Sequence, residues 1–133
     1  MASSASIAVA DSVWRQMKSS RCVSDDNLAI LHFLFGKNFE RATIIVDQGG
    51  VKRVSGNPSC RVLFLVAGES KKEEYVCFPE HFCTCHSFFF DVVNKGEQLC
   101  CKHQIAVQLA ESVGAYKEIS ISDEELALIL CRI

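Results

Sequence analysis

The sequence lacks a stripe of basic residues. The net charge is −2 and the pI is about 6.1, and the basic residues come singly or as the pairs Lys52-Arg53 and Lys71-Lys72. A protein that binds nucleic acid strongly by itself neutralises several phosphates with clustered lysines and arginines. Strong unaided DNA binding is therefore excluded, and any contact with single-stranded DNA is expected to be indirect, through a partner.

Membrane and export signals are also missing. No apolar run approaches the roughly 20 residues that a membrane span needs. Residues 1–10 are rich in serine and alanine, have no basic region, and include only residues 7–10 as an apolar patch. We therefore expect a soluble intracellular protein with no membrane association. Thiols stay reduced in such compartments, so the eight cysteines favour metal binding or core packing over a disulfide scaffold.

The sequence contains none of the short motifs of common enzyme families. It has no glycine-rich phosphate loop, no Gly-x-Ser-x-Gly and no His-Glu-x-x-His. We expect a protein without catalytic activity.

The length of 133 residues predicts one folded domain. We place it at residues 21–133, after an N-terminal segment, residues 1–20, that is partly disordered. Disorder is expected over residues 1–10 and a short helix over residues 11–21, with Trp14 either packed on the domain or exposed as an anchor for a partner. Hydrophobic residues make up 49% of the chain, which fits a well-filled core or a buried partner surface.

Two helices are predicted before residue 50. Ser24 can cap the first, and Gly36 can end it in the left-handed conformation. Asn38 can cap the second, which ends at Gly49. The residues at helical spacing, expected to face inward, are Leu28, Leu31, Leu34 and Phe35 in the first helix, and Phe39, Ala42, Ile45 and Val46 in the second.

The pattern then changes to strands. Residues 51–54, 61–67 and 74–78 predict an antiparallel β-meander of two or three strands. Residues 61–67 are apolar on both faces, which indicates a strand covered on both sides. Three further helices are expected. The first covers residues 87–96 and includes Phe88, Phe89 and Phe90. The second covers about residues 102–113, with Ile105, Ala106, Leu109 and Val113 facing inward, and the third follows a capping box at Ser122. The predicted class is α+β, a small meander with N-terminal and C-terminal helices.

Two close pairs of metal-ligating residues stand out in this framework. Cys83-Thr84-Cys85 is followed after fifteen residues by Cys101-Lys102-His103. Three thiolates and an imidazole are a ligand set for tetrahedral zinc. Side chains two apart diverge by about 200° on a helix, so we place Cys83 and Cys85 at a strand end and Cys101 with His103 at a helix start. The prediction is one structural Zn²⁺ ion that joins the end of the hairpin to the following helix.

Other assignments compete with this one. The four residues can be unconnected buried thiols and a histidine, Cys83 and Cys85 can form a strained redox disulfide, and Cys101 with His103 can form a nucleophile pair. The neighbouring Cys100 is expected in the core, like Cys60 and Cys77, whereas His81 and His86 are expected to be exposed or to contact a ligand. Cys22 and Cys131 have no paired spacing.

Cys-x-Cys followed by Cys-x-His, with a hairpin before and a helix through the second pair, resembles the SWIM zinc finger, a ββα unit that would span about residues 62–113. Residues 31–36, 45–47 and 122–126 extend the likeness to the SWIM-domain subunits of Shu complexes, over about residues 24–132. The resemblance implies a nuclear protein of homologous recombination and DNA repair. Such subunits bind a RecA-like recombinase paralogue and promote recombinase filament assembly on single-stranded DNA.

An alternative is a generic zinc-dependent interaction adaptor, related to ubiquitin ligases or transposases, because the SWIM motif also occurs in those proteins. For a recombinase partner, we expect the binding surface on the terminal helices, including Leu130, and on the segment with Phe88, Phe89 and Phe90.

Overall fold

The computed structural model describes residues 4–68, 73–78, 82–85 and 100–131. Within these ranges the α-helices are α1 (Ser4–Ser20), α2 (Asp25–Phe35), α3 (Lys37–Asp47), α4 (Lys102–Val113) and α5 (Asp123–Cys131). The strands are β1 (Val51–Asn57), β2 (Val62–Ala67), β3 (Glu74–Phe78), β4 (Phe82–Cys83) and β5 (Lys117–Ser122). The predicted helix over residues 87–96 lies outside the described residues.

The strands form one mixed sheet in the order β4-β3-β2-β1-β5. Strands β1 to β4 pair antiparallel, whereas β5 runs parallel to β1. The α+β class and the meander are thus confirmed. Strand β5 was missed, although the alternation of Ile119 and Ile121 with polar residues is a strand signal.

The sheet is covered on both faces. On one face, strand residues including Phe64, Val66 and Cys77 join residues of α1 to α4 in the main core. On the other face, Leu63 packs with Leu126 of α5 in a smaller core. The prediction that the strand after residue 61 is buried on both sides is confirmed, because alternate residues of β2 enter different cores.

Helix α1 corrects the N-terminal prediction. Disorder was expected over residues 1–10, but α1 begins at Ser4. Ala10, Val13, Trp14 and Met17 are all buried in the main core. Their spacing of three and four residues forms an apolar stripe, and alanine is the strongest helix former, which explains why a segment of small residues is ordered.

The helix starts follow from local hydrogen bonds. The amide of Asn27 donates to the Ser24 hydroxyl at 3.1 Å, and the amide of Glu125 donates to the Ser122 hydroxyl at 3.2 Å, so both predicted caps are confirmed. Gly36 has φ 59° and ψ −130°, and glycine tolerates this conformation. The sequence predicted the left-handed helical conformation here, which the ψ angle does not match. Because α3 begins at Lys37, Gly36 and not Asn38 precedes it.

Three predicted burials are wrong. Leu28 and Val113 lie near helix ends and are 37% and 40% exposed. Cys60 is exposed in the turn between β1 and β2 and has a positive φ of 63°. The remaining predicted inward residues of α2, α3 and α4 are buried or half-buried. None of the helices in the described ranges has the length and apolar content that a bilayer crossing requires.

Candidate metal centre

Backbone pairing with β3 positions the first cysteine pair. Cys83 ends β4, directly opposite Cys77. The next residue, Thr84, extends this pairing, because its amide donates to the Val76 carbonyl at 3.0 Å and its hydroxyl accepts from the Val76 amide at 3.1 Å. Thr84 is thereby held between Cys83 and Cys85, and both cysteine side chains are buried. This is the strand end that the one-residue spacing predicted.

The second pair lies at the start of α4. Cys101 has an extended backbone, φ −76° and ψ 164°, and precedes the first helical residue. Its amide donates to the side chain of Gln104 at 3.0 Å, and its carbonyl accepts the first helical bond from Ile105 at 3.2 Å. Asn38 of α3 donates to the Cys100 carbonyl at 3.2 Å, which fixes the chain before the helix. Because Cys101 is extended and Lys102 is already helical, the side chains of Cys101 and His103 point to the same side of the chain.

The structure brings together all four side chains singled out from the sequence. The ligand atoms of Cys83, Cys85, Cys101 and His103 all lie within 4.8 Å of one another, and all four residues are buried. The Cys83 Sγ is 3.7 Å from the His103 Nδ1. Zinc–sulfur bonds of 2.3 Å at tetrahedral angles place ligand sulfurs about 3.8 Å apart, so the cluster has the dimensions to hold one zinc ion.

His103 lacks the contacts of an ordinary core histidine. Its Nε2 is buried without a hydrogen-bond partner, which costs about 1–3 kcal/mol for a polar group. The Tyr75 ring covers the imidazole at a centroid distance of 4.6 Å. A hydrogen bond to Glu73, and to a smaller extent burial, raises the pKa of Tyr75 to about 12. The Tyr75 side chain is therefore uncharged where it packs on the imidazole. The His103 Nδ1, 3.7 Å from the Cys83 Sγ, faces the thiols, so the imidazole can serve as the fourth ligand of a metal ion.

The thiols need a cation to ionise. Contacts with Cys83 and Cys85, and then burial, raise the pKa of Cys101 far above its usual range. For Cys83, the contact with Cys101 lowers the pKa, but contacts with Cys77 and Cys85 together with burial leave it raised. Zinc supplies the positive charge that stabilises clustered thiolates. Four protein ligands would close the coordination sphere of a zinc ion bound here, as in structural sites.

Comparison with known proteins gives the family. No protein-family model matches the chain, and no solved structure matches it. Zinc finger SWIM domain-containing protein 7 of Homo sapiens is 35% identical over 115 residues, covering 86% of this chain and 81% of the human protein. The chain belongs to the zinc finger SWIM domain-containing protein 7 family. The Danio rerio member is 40% identical, covering 83% and 78% of the two chains, and the Dictyostelium discoideum homolog is 31% identical, covering 77% and 66%.

The family name matches the buried cluster, since a zinc finger SWIM protein needs a zinc-binding set of cysteine and histidine. The other thiols are placed differently. Cys22 and Cys131 are exposed, and His81 and His86 lie outside the described residues. Sequence reasoning missed the contact of Tyr75 with the imidazole and the position of Cys77 opposite Cys83. Their spacing of two residues on β3, next to the first ligand pair, is the signal that would have found them.

Cys100 is separated from the zinc cluster despite its position in the chain. It is half-buried against the main core, and burial, with a smaller effect of the Asp11 carboxylate, raises the pKa of its thiol to about 11. It is not one of the four residues whose ligand atoms converge.

We expect Cys100→Ser to retain one zinc ion per chain and Cys101→Ser to lose at least tenfold in zinc affinity. Metal analysis after purification in reductant, with a chelator competition for both variants, is the measurement. Normal zinc binding by Cys101→Ser together with loss in Cys100→Ser would reverse the assignment of the third thiolate.

Proposed function

We propose that this protein is a non-catalytic accessory factor of homologous recombination and DNA repair in the nucleus. It binds a RecA-like recombinase paralogue, and the complex promotes recombinase filament assembly on single-stranded DNA. The observation that carries the proposal is membership of the zinc finger SWIM domain-containing protein 7 family, together with the likeness to the SWIM-domain subunits of Shu complexes.

The chemistry of the metal centre supports a structural role. We propose Cys83, Cys85, Cys101 and His103 as the four ligands of one zinc ion. Four protein ligands leave no open position for water or substrate. The ion would tie the end of β4 to the start of α4, across the segment 84–101.

The charge of the protein supports indirect contact with DNA. The net charge is −2, and two of the basic side chains on the sheet form ion pairs, Lys52 with Glu74 at 2.8 Å and Arg53 with Glu118 at 3.0 Å. Few phosphates would therefore be neutralised by this chain alone. A partner must provide most of the DNA-binding surface.

An exposed apolar surface between α1 and α2 supports binding to a partner protein. It is formed by Val9, Ile30 and Phe33, and we name it the α1–α2 patch. Phe33 is 87% exposed, and a groove of about 410 Å³ lies beside it. Apolar surfaces of this kind mark interfaces in soluble proteins. By contrast, Leu130, on which the sequence placed the partner surface, is partly buried against the smaller core, and Phe88, Phe89 and Phe90 lie outside the described residues.

Affinity capture of the tagged protein from nuclear extract tests the function. We expect a RecA-fold protein and recombination factors in the wild-type capture, and their loss when Cys85→Ser removes a zinc ligand. Recovery of ubiquitin-ligase subunits with no recombination factor would contradict the proposal and favour the zinc-dependent adaptor.

We expect Phe33→Ala to weaken binding to the recombinase paralogue by about 30-fold, the effect of removing one central aromatic anchor. The side chain makes few contacts within this chain, so the melting temperature should change little. Titration calorimetry with the purified partner measures the affinity. Two matched exposed positions serve as controls, Ile44→Ala on α3 and Leu128→Ala on α5; if Leu128→Ala alone weakens binding, the partner surface is at the C-terminal helix instead.

A further inference from the structure

A fifth thiol lies against the metal centre. Cys77 of β3 is fully buried in the main core. It is the direct cross-strand partner of Cys83 in the antiparallel pair of β3 and β4, which puts both side chains on one face of the sheet at close range. Its other cross-strand neighbour is Phe64 of β2, which offers no polar group.

The contacts of Cys77 involve one ligand and not the whole cluster. Cys77 and Cys83 are buried and directly opposite each other on β3 and β4, so their side chains lie next to each other. Cys77 is nevertheless outside the group of described residues whose ligand atoms all lie within 4.8 Å of one another. A fifth ligand would have to approach all four of the others, and zinc in structural sites takes four. The geometry therefore separates Cys77 from the coordinating set while keeping it beside Cys83.

We propose that Cys77 is a positioning residue of the zinc site, whose S–H donates a hydrogen bond to the zinc-bound thiolate of Cys83. A thiol that binds no metal is a weak donor, and a thiolate is a charged acceptor that strengthens such a bond. The bond would fix the orientation of Cys83 and draw electron density from its sulfur. Partners of metal ligands commonly act in this way on affinity and on the electronic properties of the metal.

Cobalt-substituted full-length protein provides the test, because Co²⁺ accepts the same tetrahedral ligands as zinc and absorbs through thiolate-to-metal charge transfer. In Cys77→Val the hydrogen bond is lost, and an electron-richer Cys83 thiolate should shift the charge-transfer band to lower energy. The band intensity should not change, since three thiolates remain. Zinc affinity from chelator competition should fall about tenfold.

Rescue by a donor separates hydrogen bonding from packing. Cys77→Ser keeps a donor at this position and should return the band and the zinc affinity toward wild type. Val51→Ala removes buried volume from the same face of the sheet, away from β4, and should lower the melting temperature without moving the band. If Cys77→Val does not fold, the charge-transfer band and the zinc affinity are measured for Cys77→Ala, with the same expected changes.

Three results would overturn the inference. A loss of about one third of the charge-transfer intensity in Cys77→Val would make Cys77 a ligand itself. An unmoved band, or a Cys77→Ser protein that behaves like Cys77→Val, would leave only a packing role. Failure of the wild type to take up cobalt would overturn the metal centre as a whole. The recombination partner does not enter this test, so its outcome is independent of the proposed function.

Discussion

Removal of zinc should lower the melting temperature of this protein by about 15 °C. A ligand present at 1,000 times its dissociation constant stabilises the folded state by about 4 kcal/mol, and each kcal/mol is worth about 4 °C for a domain of this size. Scanning calorimetry in reductant, before and after dialysis against a zinc chelator, measures the shift.

The loss should be local at first, because only part of the structure depends on the metal. Strand β4 has two residues and would lose its link to α4. The ligands Cys83, Cys85 and Cys101 belong to the main core, but that core also contains apolar residues of α1, α2 and α3 that are not metal ligands, and these should hold the rest of the fold. Hydrogen exchange should therefore accelerate at the amides of Thr84 and Ile105, which bond to Val76 and Cys101, more than at those within α3.

Refilling with zinc is the control, and added magnesium should have no effect, since thiolate ligands select zinc over hard cations. An unchanged melting temperature after complete metal removal would contradict the structural role of the centre. Complete unfolding would instead mean that the two cores cannot sustain the fold without the metal.

The metal centre was accessible from the sequence because its geometry is set locally. One residue between the two members of each ligand pair excludes a regular helix through that pair. The helical spacing of Ile105, Ala106 and Leu109 then places the second pair at a helix start, and the strand before Cys83 places the first pair at a strand end. The predicted start of α4 and its end at Gly114, whose φ of 73° is left-handed, agree with the structure for the same reason.

Long-range placement was less accessible. The residues of β5 do not indicate that this strand pairs in parallel with β1, which lies 60 or more residues away. Parallel pairing depends on the crossover formed by the whole intervening chain. Likewise, Cys77 carries no ligand spacing, and its role depends on cross-strand register with Cys83. The first part of helix α1, before the predicted helix over residues 11–21, was missed through composition, since serine and alanine at the start of a chain are typical of disorder as well as of helix.

Trp14→Ala tests this N-terminal helix and should lower the free energy of unfolding by about 4 kcal/mol, within the range for truncating a buried aromatic side chain. Trp14 is 5% exposed and stacks on Phe35 of α2 with 6.1 Å between ring centroids and 18° between planes. Helix α1 is also tied to α4 by Lys18, which donates to the side chain of Gln108 at 2.8 Å. Urea denaturation followed by circular dichroism is the measurement, because the variant removes the single tryptophan and with it the natural fluorescence signal.

A substitution at an exposed position of the same helix, about two turns before Trp14, controls for helix propensity. Ile7 is 49% exposed, and Ile7→Ala should change the free energy of unfolding by less than about 0.5 kcal/mol, as surface substitutions usually do. The contrast between the two variants separates packing of α1 on the core from the formation of an isolated helix. If Trp14→Ala were within 1 kcal/mol of wild type, the apolar stripe of α1 would contribute little to the main core, and the folded domain would begin after residue 20, as the sequence alone suggested.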